Sequence, residues 1–291
     1  MAHVADLISY PVKGCRGTSM SEAVLTPAGL AHDRGFMVVS EEGLHRTQRR
    51  HPRLALVQPA VSHDGSRLTL DSADSASGHG TLHVDVTTSA PRRDVDLFGA
   101  AFQGIDQGDE AAAWLSEFLG AASRLVRVPP DHDRITDGWT PGTSGYADSS
   151  AVHLLTRSSL TSLNRRMAAE HGAPPLPMDR FRPNIVVDGG RGEHRDGADW
   201  AAVPHAEDRA RRIRIGAAEL GYAKLAVRCA VTLVDQEAGA RQGREPLRTL
   251  ARYRRTASGG VVFGAKFSVV RPGKLSVGDE VAVQEWGEAE M

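Results

Sequence analysis

Short apolar runs alternate with turn-forming residues through the first third of the chain. From residue 3 to about residue 105, each run is long enough for one strand and is followed by glycine, proline, serine or aspartate. Evenly spaced short strands of this kind are typical of an antiparallel barrel or sandwich. The runs that predict strands are HVADLISYPV, GFMVVSEEG, LALVQPAV, SRLTLDS, TLHVDVT and DVDLFG.

The first pattern with helical spacing comes next, in the segment GDEAAAWLSEFLG. Its apolar residues recur at intervals of three and four, which places them on one face of a helix. Asp109 is the expected N-terminal cap, and Gly120 is expected to end the helix. The apolar positions are Ala111, Trp114, Leu115, Phe118 and Leu119.

A long segment from Val128 to Ser150 has no apolar period and is rich in proline, glycine and aspartate. Ordinary connections between elements are much shorter than this one. We therefore predict that this loop is functional or mobile.

The second half of the chain returns to strands, with two further helices among them. SLTSLNRRMAAEHG predicts an amphipathic helix with Leu160, Leu163 and Met167 on one face, and EPLRTLARYRR predicts another helix. Strands are predicted in AVHLLT, NIVVDGG, RRIRIGAAEL, YAKLAVRCAVTLVD, VVFGAKFSVV and KLSVGDEVAVQE. The pattern predicts a mainly β fold with short helices (α+β), divided into a domain over residues 1–120 and a second over residues 121–291.

Composition and charge exclude several functional classes. The 291 residues are 41% hydrophobic and 24% charged, as in ordinary soluble proteins. The 35 basic residues are balanced by 36 acidic ones, so the chain has no overall positive field for nonspecific nucleic-acid binding. Because no apolar run is long enough for a membrane span and no signal-peptide pattern occurs, we expect a cytoplasmic protein without membrane association. The two cysteines fit a reducing compartment.

Several familiar catalytic signatures are missing from the sequence. GGRGEH lacks the third glycine of a dinucleotide-binding fingerprint and is not expected to begin a helix, which argues against a Rossmann-type site. Neither a P-loop nor a GxSxG nucleophile elbow occurs. The chemistry must therefore come from other combinations of residues.

Two segments near the N-terminus offer candidate anion-binding groups. In YPVKGCRG, Lys13 is either a solvated turn lysine or, with the backbone N–H groups of Gly14 and Cys15, part of an anion pocket. In LAHDRGFMVV, Asp33 and Arg34 precede the next strand, and an adjacent pair of this kind is ordinarily a surface ion pair.

The segment DRFRPNIVVDGG offers a third candidate. Pro183 favours an extended backbone at Arg182, which would aim the guanidinium from a rigid strand entrance, with Asn184 pointing to the same side. Such a fork suits a phosphate or a carboxylate. The alternative is a buried arginine paired with Asp179 or Asp188.

Cys229 lies in the apolar segment KLAVRCAVTLVD. A free cysteine in such a run is ordinarily a small core residue. Against this, Arg228 beside it favours the thiolate, which is a nucleophile or a ligand for a soft metal. The local sequence leaves both interpretations open.

The combined motifs, in their order along the chain, resemble one family. The chain is similar to MOSC proteins that carry the MOSC N-terminal β-barrel domain before the MOSC β-barrel domain, among them the mitochondrial amidoxime-reducing component and its bacterial counterparts. The motifs are YPVKGCRG, HDRGFMVV, YADSS, FRPNIVV, AVRC followed by TLVDQEAG, EPLRTLARYR, FG and GKLSVGDEV.

The resemblance implies a molybdenum cofactor with a pyranopterin dithiolene, whose metal is ligated by Cys229. It also implies that the cofactor contacts lie on the matching positions of the motifs, and that Asp148 is a candidate proton relay. Those positions are Lys13, Gly14, Arg34, Asp148, Ser149, Arg182, Asn184 and Arg228.

The implied reaction is the two-electron reduction of an N–O bond in amidoximes, hydroxamates or hydroxylamino-purines. Some relatives carry a ferredoxin-type domain with four cysteines, and this chain has two cysteines in all. The resemblance therefore implies a separate electron-transfer protein of the ferredoxin or flavin reductase type. Two other classes stay open: a sulfur carrier or transferase with a persulfide on Cys229, and a non-catalytic module that binds the cofactor.

Overall fold

The computed structural model describes residues 1–74, 78–189 and 199–291. Within these residues the chain forms 23 strands and three α-helices, which confirms the predicted mainly β fold with short helices. The segment GGRGEH lies, apart from Gly189, outside the described residues.

The strands of the first half are short and closely spaced, as their alternation predicted. They are β1 His3–Ser9, β2 Val12–Lys13, β3 Thr18–Met20, β4 Glu22–Thr26, β5 Gly29–Leu30, β6 Phe36–Ser40, β7 Val57–Val61, β8 Arg67–Ser72, β9 Leu82–Asp85, β10 Arg92–Leu97 and β11 Ala100–Asp106.

The second half adds twelve strands, of which β18 and β21 are the longest. They are β12 Ser123–Arg127, β13 Ile135–Thr136, β14 Gly142–Thr143, β15 Val152–Thr156, β16 Ile185–Asp188, β17 Ala210–Ile215, β18 Ala218–Val227, β19 Val234–Asp235, β20 Ala240–Arg241, β21 Val262–Arg271, β22 Gly273–Ser276 and β23 Val281–Trp286.

The three helices lie where apolar residues recur at helical spacing. They are α1 Asp109–Leu119, α2 Arg157–His171 and α3 Leu247–Tyr253. Gly120 ends α1 in the left-handed conformation, as predicted. The predicted cap is wrong, because Gly108 precedes α1 without a side-chain cap and Asp109 instead binds Arg124 at 2.8 Å.

An eight-stranded sheet forms the centre of the molecule, in the order β23-β17-β18-β21-β15-β16-β1-β3. Its strand β1 comes from the N-terminal end of the chain and pairs antiparallel with β16, which follows it by some 180 positions. A five-stranded sheet, β10-β11-β12-β6-β2, carries Lys13 at its edge strand. Smaller sheets are formed by β22-β4-β5 and β7-β8-β9, and two hairpins by β13-β14 and β19-β20.

The expected closed barrels are not formed by the described strands. The two ends of the central sheet, β23 and β3, are not paired with each other. After β3 the chain turns at Ser21 and continues into β4, which pairs with β22 of a different sheet. The sheets therefore stay open and pack through apolar faces.

The largest apolar core lies between the central sheet and the sheet β22-β4-β5. It contains Leu7, Leu25, Leu154, Phe267 and Leu275, all at most 1% exposed. A second core packs α1 against β6, β8 and β12, and a third packs α2 and α3 behind the central sheet. These cores fix the positions of the strand ends at which the candidate site residues lie.

Candidate functional site

Lys13 and Asp148 form an ion pair. The Lys13 side chain is only 8% exposed, whereas that of Asp148 is 65% exposed. The Lys13 ammonium also donates a hydrogen bond to the carbonyl oxygen of Tyr146 at 2.8 Å. The interpretation of Lys13 as a solvated turn lysine is therefore wrong, and two predicted site residues meet.

Arg134 fixes the loop that carries Asp148. Its guanidinium donates to the carbonyl oxygens of Gly145 at 2.9 Å, of Asp148 at 3.0 Å and of Ala147 at 2.5 Å. The end of the long loop is thus anchored beside Lys13, and its earlier part contains the hairpin β13-β14. The sequence analysis did not identify Arg134 as a positioning residue.

Arg34 lies in a buried polar network. Its guanidinium forms an ion pair with Asp33 at 2.5 Å, and the two side chains are 11% and 2% exposed. The predicted ion pair between Asp33 and Arg34 is therefore present, but its predicted position on the surface is wrong. Arg34 also donates to the side-chain oxygen of Asn184 at 2.9 Å and stacks on Tyr10, with its guanidinium carbon 4.4 Å from the ring centroid.

Asn184 uses its amide group within the protein. Its oxygen accepts hydrogen bonds from Arg34 and from the backbone N–H of His153, at 2.9 and 3.2 Å. Its nitrogen donates to the carbonyl oxygen of Ile8 at 3.1 Å. Asn184 therefore ties β15 and β1 to the Arg34 guanidinium, and we assign it a positioning role in this arrangement.

Arg182 has a left-handed backbone, with φ 55° and ψ 49°, where the sequence predicted an extended one. A single-turn 3-10 helix, Met178–Phe181, ends there, and the Arg182 N–H donates to the carbonyl of Asp179 at 3.1 Å. A proline favours an extended backbone at the residue before it, but the hydrogen-bonded turn holds Arg182 in the left-handed conformation instead.

The Arg182 guanidinium is held without a carboxylate partner among the described residues. It donates to the carbonyl of Cys15 at 2.6 Å and to the Gln236 side chain at 3.4 Å. It also stacks on Tyr10, 4.2 Å from the ring centroid. The alternative pairing with Asp179 or Asp188 is not observed.

Tyr10 is thus the common platform for Arg34 and Arg182. Burial raises the pKa of Tyr10 to about 12, although the two guanidinium groups act to lower it. The phenol therefore stays neutral and donates its proton to the carbonyl oxygen of Pro183 at 3.1 Å. A cavity of about 320 Å³ borders Tyr10, Arg182 and Gln236.

Gly14 and Cys15 contribute a turn rather than two free N–H groups. Gly14 has φ 82°, and its carbonyl accepts a hydrogen bond from Gln48 at 2.7 Å. The Cys15 N–H donates to the carbonyl of Val12 at 3.0 Å, so it is not available for the predicted anion pocket. The Cys15 thiol is buried, which raises its pKa to about 12 and keeps it protonated.

Cys229 lies just after the end of β18 and not within a strand. It precedes a 3-10 turn, Ala230–Leu233, and its carbonyl accepts hydrogen bonds from the N–H and hydroxyl of Thr232 at 3.1 and 3.0 Å. The turn directs the chain away from the sheet, and Cys229 is exposed. The core interpretation of Cys229 is therefore wrong.

Arg228 places a positive charge beside this thiol. Its backbone N–H donates to Val261 at 2.7 Å, and its guanidinium donates to the carbonyl of Phe181 at 2.7 Å. Burial lowers the pKa of Arg228 to about 10, while Cys229 and Asp148 act to raise it. The Nε atom is buried without a hydrogen-bond partner in the described part of the chain.

Lys266 and His153 were missed by the sequence analysis. They face each other in the antiparallel register of β21 and β15. The pKa of Lys266 is lowered to about 7, mainly by burial and to a smaller extent by the positive charge of Arg34. His153 is 1% exposed, and its Nε2 atom has no partner among the described residues. Burial and the nearby charge of Lys266 also lower the His153 pKa well below its ordinary value.

One signal in the sequence marks Lys266. The chain contains four lysines, and Lys266 is the one charged residue of the mainly apolar segment VVFGAKFSVV. A charged residue in a strand that is buried on both sides calls for an explanation. The pattern predicted a strand here, and Lys266 was not among the predicted site residues.

Five cationic side chains interact electrostatically at this site, and they are called the cationic cluster below. Asp148 lies within their field: partial burial raises its pKa, but Lys13 and Lys266 lower it well below the ordinary value. With Asp33 bound to Arg34, the cluster has five positive groups against two carboxylates. Such an excess favours an anionic ligand. The cluster consists of Lys13, Arg34, Arg182, Arg228 and Lys266.

Ser149 follows Asp148 and is half-buried. Its carbonyl oxygen accepts a hydrogen bond from the Ser150 hydroxyl at 2.5 Å.

Of the nine site residues that the sequence predicted, six are linked into one network by hydrogen bonds and electrostatic interactions. They are Lys13, Arg34, Asp148, Arg182, Asn184 and Arg228. Gly14 and Cys229 lie at the edge of this network. Gly14 precedes Cys15, whose carbonyl accepts a hydrogen bond from Arg182, and Cys229 follows Arg228 in the chain and interacts electrostatically with it.

No group of three or more histidine, cysteine, aspartate or glutamate side chains is placed to hold a metal ion within residues 1–74, 78–189 and 199–291. In the same ranges, no helix is long and apolar enough to cross a membrane.

Two domain families match the chain. The MOSC N-terminal beta barrel domain matches residues 1–122, and the MOSC domain matches residues 141–282. Together these matches include every residue of the cationic cluster.

Curated relatives match across almost the whole chain. Mitochondrial amidoxime-reducing component 1 of Mus musculus is 34% identical over 299 residues, covering 96% of this chain and 81% of the relative. Mitochondrial amidoxime reducing component 2 of Rattus norvegicus is 32% identical over 298 residues, covering 96% and 82%. Molybdenum cofactor sulfurase of Danio rerio is 31% identical over 278 residues, covering 90% of this chain and 31% of that longer protein.

Proposed function

Because the chain belongs to the MOSC family and carries the MOSC N-terminal domain, we propose that it is a molybdenum-cofactor-dependent oxidoreductase. Its proposed substrates are N-hydroxylated compounds, namely amidoximes, hydroxamates and hydroxylamino-purines. The names of the relatives support this class, since they are amidoxime-reducing components and a molybdenum cofactor sulfurase.

One observation carries the proposal: an exposed thiol, Cys229, adjoins a cluster with an excess of positive charge. A cofactor of this class bears phosphate, which suits lysine and arginine, and a soft metal, which suits a thiolate. Within the described residues Cys229 is not part of a multi-ligand metal site. The remaining ligands of a metal on Cys229 would therefore come from the cofactor.

The fit also accounts for buried groups that have no partner in the described protein. The Nε2 atom of His153 and the Nε atom of Arg228 are both buried without a hydrogen bond. Such orphaned groups are costly unless a ligand satisfies them. We assign Lys13, Arg182, Arg228 and Lys266 to the binding of the anionic cofactor, while Asn184 and Asp33 hold Arg34 in place.

The proposed reaction converts an N–OH group to N–H and water, and it consumes two electrons and two protons. The cofactor, when bound, supplies the redox-active centre for the electrons. The pKa of Lys266 is lowered to about 7 in the cofactor-free protein, and an anionic cofactor beside it would raise that pKa and keep Nζ protonated as a hydrogen-bond donor. Asp148 stays ionised at neutral pH, so its carboxylate accepts hydrogen bonds and orients the Lys13 ammonium.

An activity assay tests this proposal. Protein from a cofactor-competent host would receive dithionite as reductant and benzamidoxime as substrate, and benzamidine would be measured by chromatography. We expect turnover by the wild type, loss of turnover in Cys229→Ser and unchanged turnover in Cys15→Ala. An inactive wild type whose intact mass shows an added sulfur atom on Cys229 would favour the sulfur-transfer alternative instead.

A further inference from the structure

Residues 238–262 carry a local excess of positive charge. This segment contains six of the chain's 35 basic residues, all arginine, and only one of its 36 acidic residues, Glu245. The rest of the chain therefore has 29 basic and 35 acidic residues, a net charge of −6, against +5 for the segment. The net charge of −1 for the whole chain therefore hides a strongly positive segment.

Five of the six arginines are exposed, and together they are called the arginine face. The sixth, Arg254, is buried and forms an ion pair with Asp208. In the helix, residues at i and i+4 share one side, so Arg248 and Arg252 project from the same side of α3. The opposite side of α3 is buried through Thr249 and Leu250. The face consists of Arg241, Arg244, Arg248, Arg252 and Arg255.

Few internal partners neutralise this face. Arg252 forms an ion pair with Glu170 at 3.3 Å, and Arg255 donates to the carbonyl of Gly259 at 2.9 Å. The other three arginines, Arg241, Arg244 and Arg248, form no ion pair with a residue of the described ranges. A protein gains nothing for its own stability from such unpaired like charges.

The segment that carries the arginine face adjoins the chain on both sides of Cys229. The turn Ala230–Leu233, which directly follows the cysteine, packs against α3. On the other side, Arg255 pairs with Val261 in a β-bridge, and the Val261 carbonyl accepts the backbone N–H of Arg228 at 2.7 Å. These two contacts link α3 and Arg255 to the chain on either side of Cys229.

We propose that the arginine face docks an acidic electron-transfer protein that delivers electrons to the site at Cys229. The inference rests on the proposed function, because N–O reduction consumes two electrons per turnover and a donor has to supply them. The partner is oxidised by two electrons in total, and the substrate takes up those electrons with two protons from solvent to give N–H and water.

Charge complementarity identifies the kind of partner. Transient electron-transfer complexes have small interfaces, in which charge steers the encounter and sets the association rate. A positive face near the reacting centre, on a chain whose remaining residues carry a net charge of −6, favours one docking position for an acidic protein and disfavours others. Its affinity should fall as salt is added.

The test compares two double variants of the cofactor-loaded protein. Arg244→Glu/Arg248→Glu reverses two unpaired charges of the face. The control, Arg67→Glu/Arg214→Glu, makes the same change in charge at exposed positions of β8 and β17, where Arg67 forms a solvent-exposed ion pair with Asp85 at 3.4 Å. The electron donor is a reduced plant-type [2Fe–2S] ferredoxin with its reductase, and saturating dithionite is the small reductant.

For the face variant we expect the KM for ferredoxin to rise by about tenfold or more at low salt, with unchanged turnover under dithionite. The control should change the KM by less than about threefold. Equal effects in both variants, or no effect in the face variant, would overturn the proposal. Circular dichroism and the melting temperature check that the exposed substitutions leave the fold intact.

A direct binding measurement separates this proposal from the proposed function. If dithionite drives no turnover in the wild type, the proposed function fails, yet binding of oxidised ferredoxin to immobilised protein still tests the face. The proposal expects binding that weakens with salt and with the face variant but not with the control. Absence of ferredoxin binding, or tighter binding of a short DNA duplex that the face variant abolishes, would contradict an acidic protein as the partner.

Discussion

Lys266 of β21 lies directly opposite His153 of β15 in the antiparallel register of the central sheet. Two basic side chains are thus placed next to each other on buried strands, and Lys266 also lies within the field of Arg34, Arg228 and Lys13. Folding alone gives no reason to bury Lys266 within the field of these three cationic groups, since burial and neighbouring like charges both disfavour its charged form. An anionic ligand would supply the missing compensation.

The first prediction concerns the stability of the protein without cofactor. The Lys266 pKa is lowered in the folded protein to about 7 from an ordinary value of 10.5. Between these values the unfolded chain binds more protons than the folded chain, so the free energy of unfolding rises with pH through this window. Lys266→Met should flatten that rise and should stabilise the cofactor-free protein near pH 6 by about 1 kcal/mol or more.

Urea unfolding at several pH values measures this effect. Lys274→Met is the matched control, because Lys274 is an exposed lysine, 61% accessible, paired with the equally exposed Glu22. If both variants show the wild-type dependence of stability on pH, the pKa of Lys266 is not lowered in the folded protein.

The second prediction separates two arginines that lie two positions apart. Arg180 is buried and binds Asp235 at 2.7 Å and Gln242 at 2.8 Å, whereas Arg182 has no carboxylate partner in the described structure. Arg180→Ala should lower the free energy of unfolding by about 2 kcal/mol or more, since it leaves Asp235 unpaired. Arg182→Ala should cost less stability than Arg180→Ala, because it removes a buried charge and leaves no carboxylate of the described residues unpaired, and it should reduce the cofactor content.

Chemical unfolding and a pterin assay on the same samples provide the two readouts. Full cofactor content in Arg182→Ala would show that its guanidinium does not bind the anion.

The third prediction concerns Asn184 as a positioning residue. Its side chain makes three hydrogen bonds, to Arg34, His153 and Ile8, and it is 1% exposed. Asn184→Ala should cost about 2 kcal/mol of unfolding free energy because it leaves buried groups unsatisfied. Ser149→Ala is the control, and it should change the free energy by less than about 0.5 kcal/mol. Equal stability of the two variants would contradict the role assigned to Asn184.

The fourth prediction uses the contrast between the two cysteines. Cys229 is exposed, whereas Cys15 is buried and has its pKa raised to about 12. In the native protein without cofactor, a thiol reagent should modify Cys229 rapidly and Cys15 only after denaturant is added. Peptide mass mapping identifies the modified residue. Native labelling of Cys15 at a comparable rate would contradict the burial described above.

Much of the fold follows from local sequence patterns. The three helices lie where apolar residues recur at helical spacing, and α1 ends at the expected glycine, Gly120. The cap was mispredicted because Asp109 has a tertiary partner, Arg124, which sequence spacing does not reveal. Sheet order was equally hidden, since β1 pairs with a strand some 180 positions away.

The candidate site was harder to predict, because its contacts are non-local. Lys13 is separated from Asp148 by 135 positions, and local chemistry alone favoured a solvated lysine. Cys229 seemed to continue an apolar strand, but the turn at Thr232 moves it to the surface. Lys266 and His153 lie in two predicted strands that are more than 100 positions apart, and only strand pairing places them together. Six of the residues to which the family resemblance points lie together in one network, although they are far apart in the sequence, and their role in cofactor binding stays a prediction.

We propose that Cys229 holds the metal of an anionic cofactor beside the cationic cluster. The most direct test is the molybdenum content per chain, measured by mass spectrometry of the elements on protein from a cofactor-competent host. The account predicts close to one molybdenum atom per chain in the wild type and in Cys15→Ala, and loss of the metal in Cys229→Ser. Equal molybdenum in Cys229→Ser and the wild type, or a wild type that carries sulfur on Cys229 and no molybdenum, would contradict it.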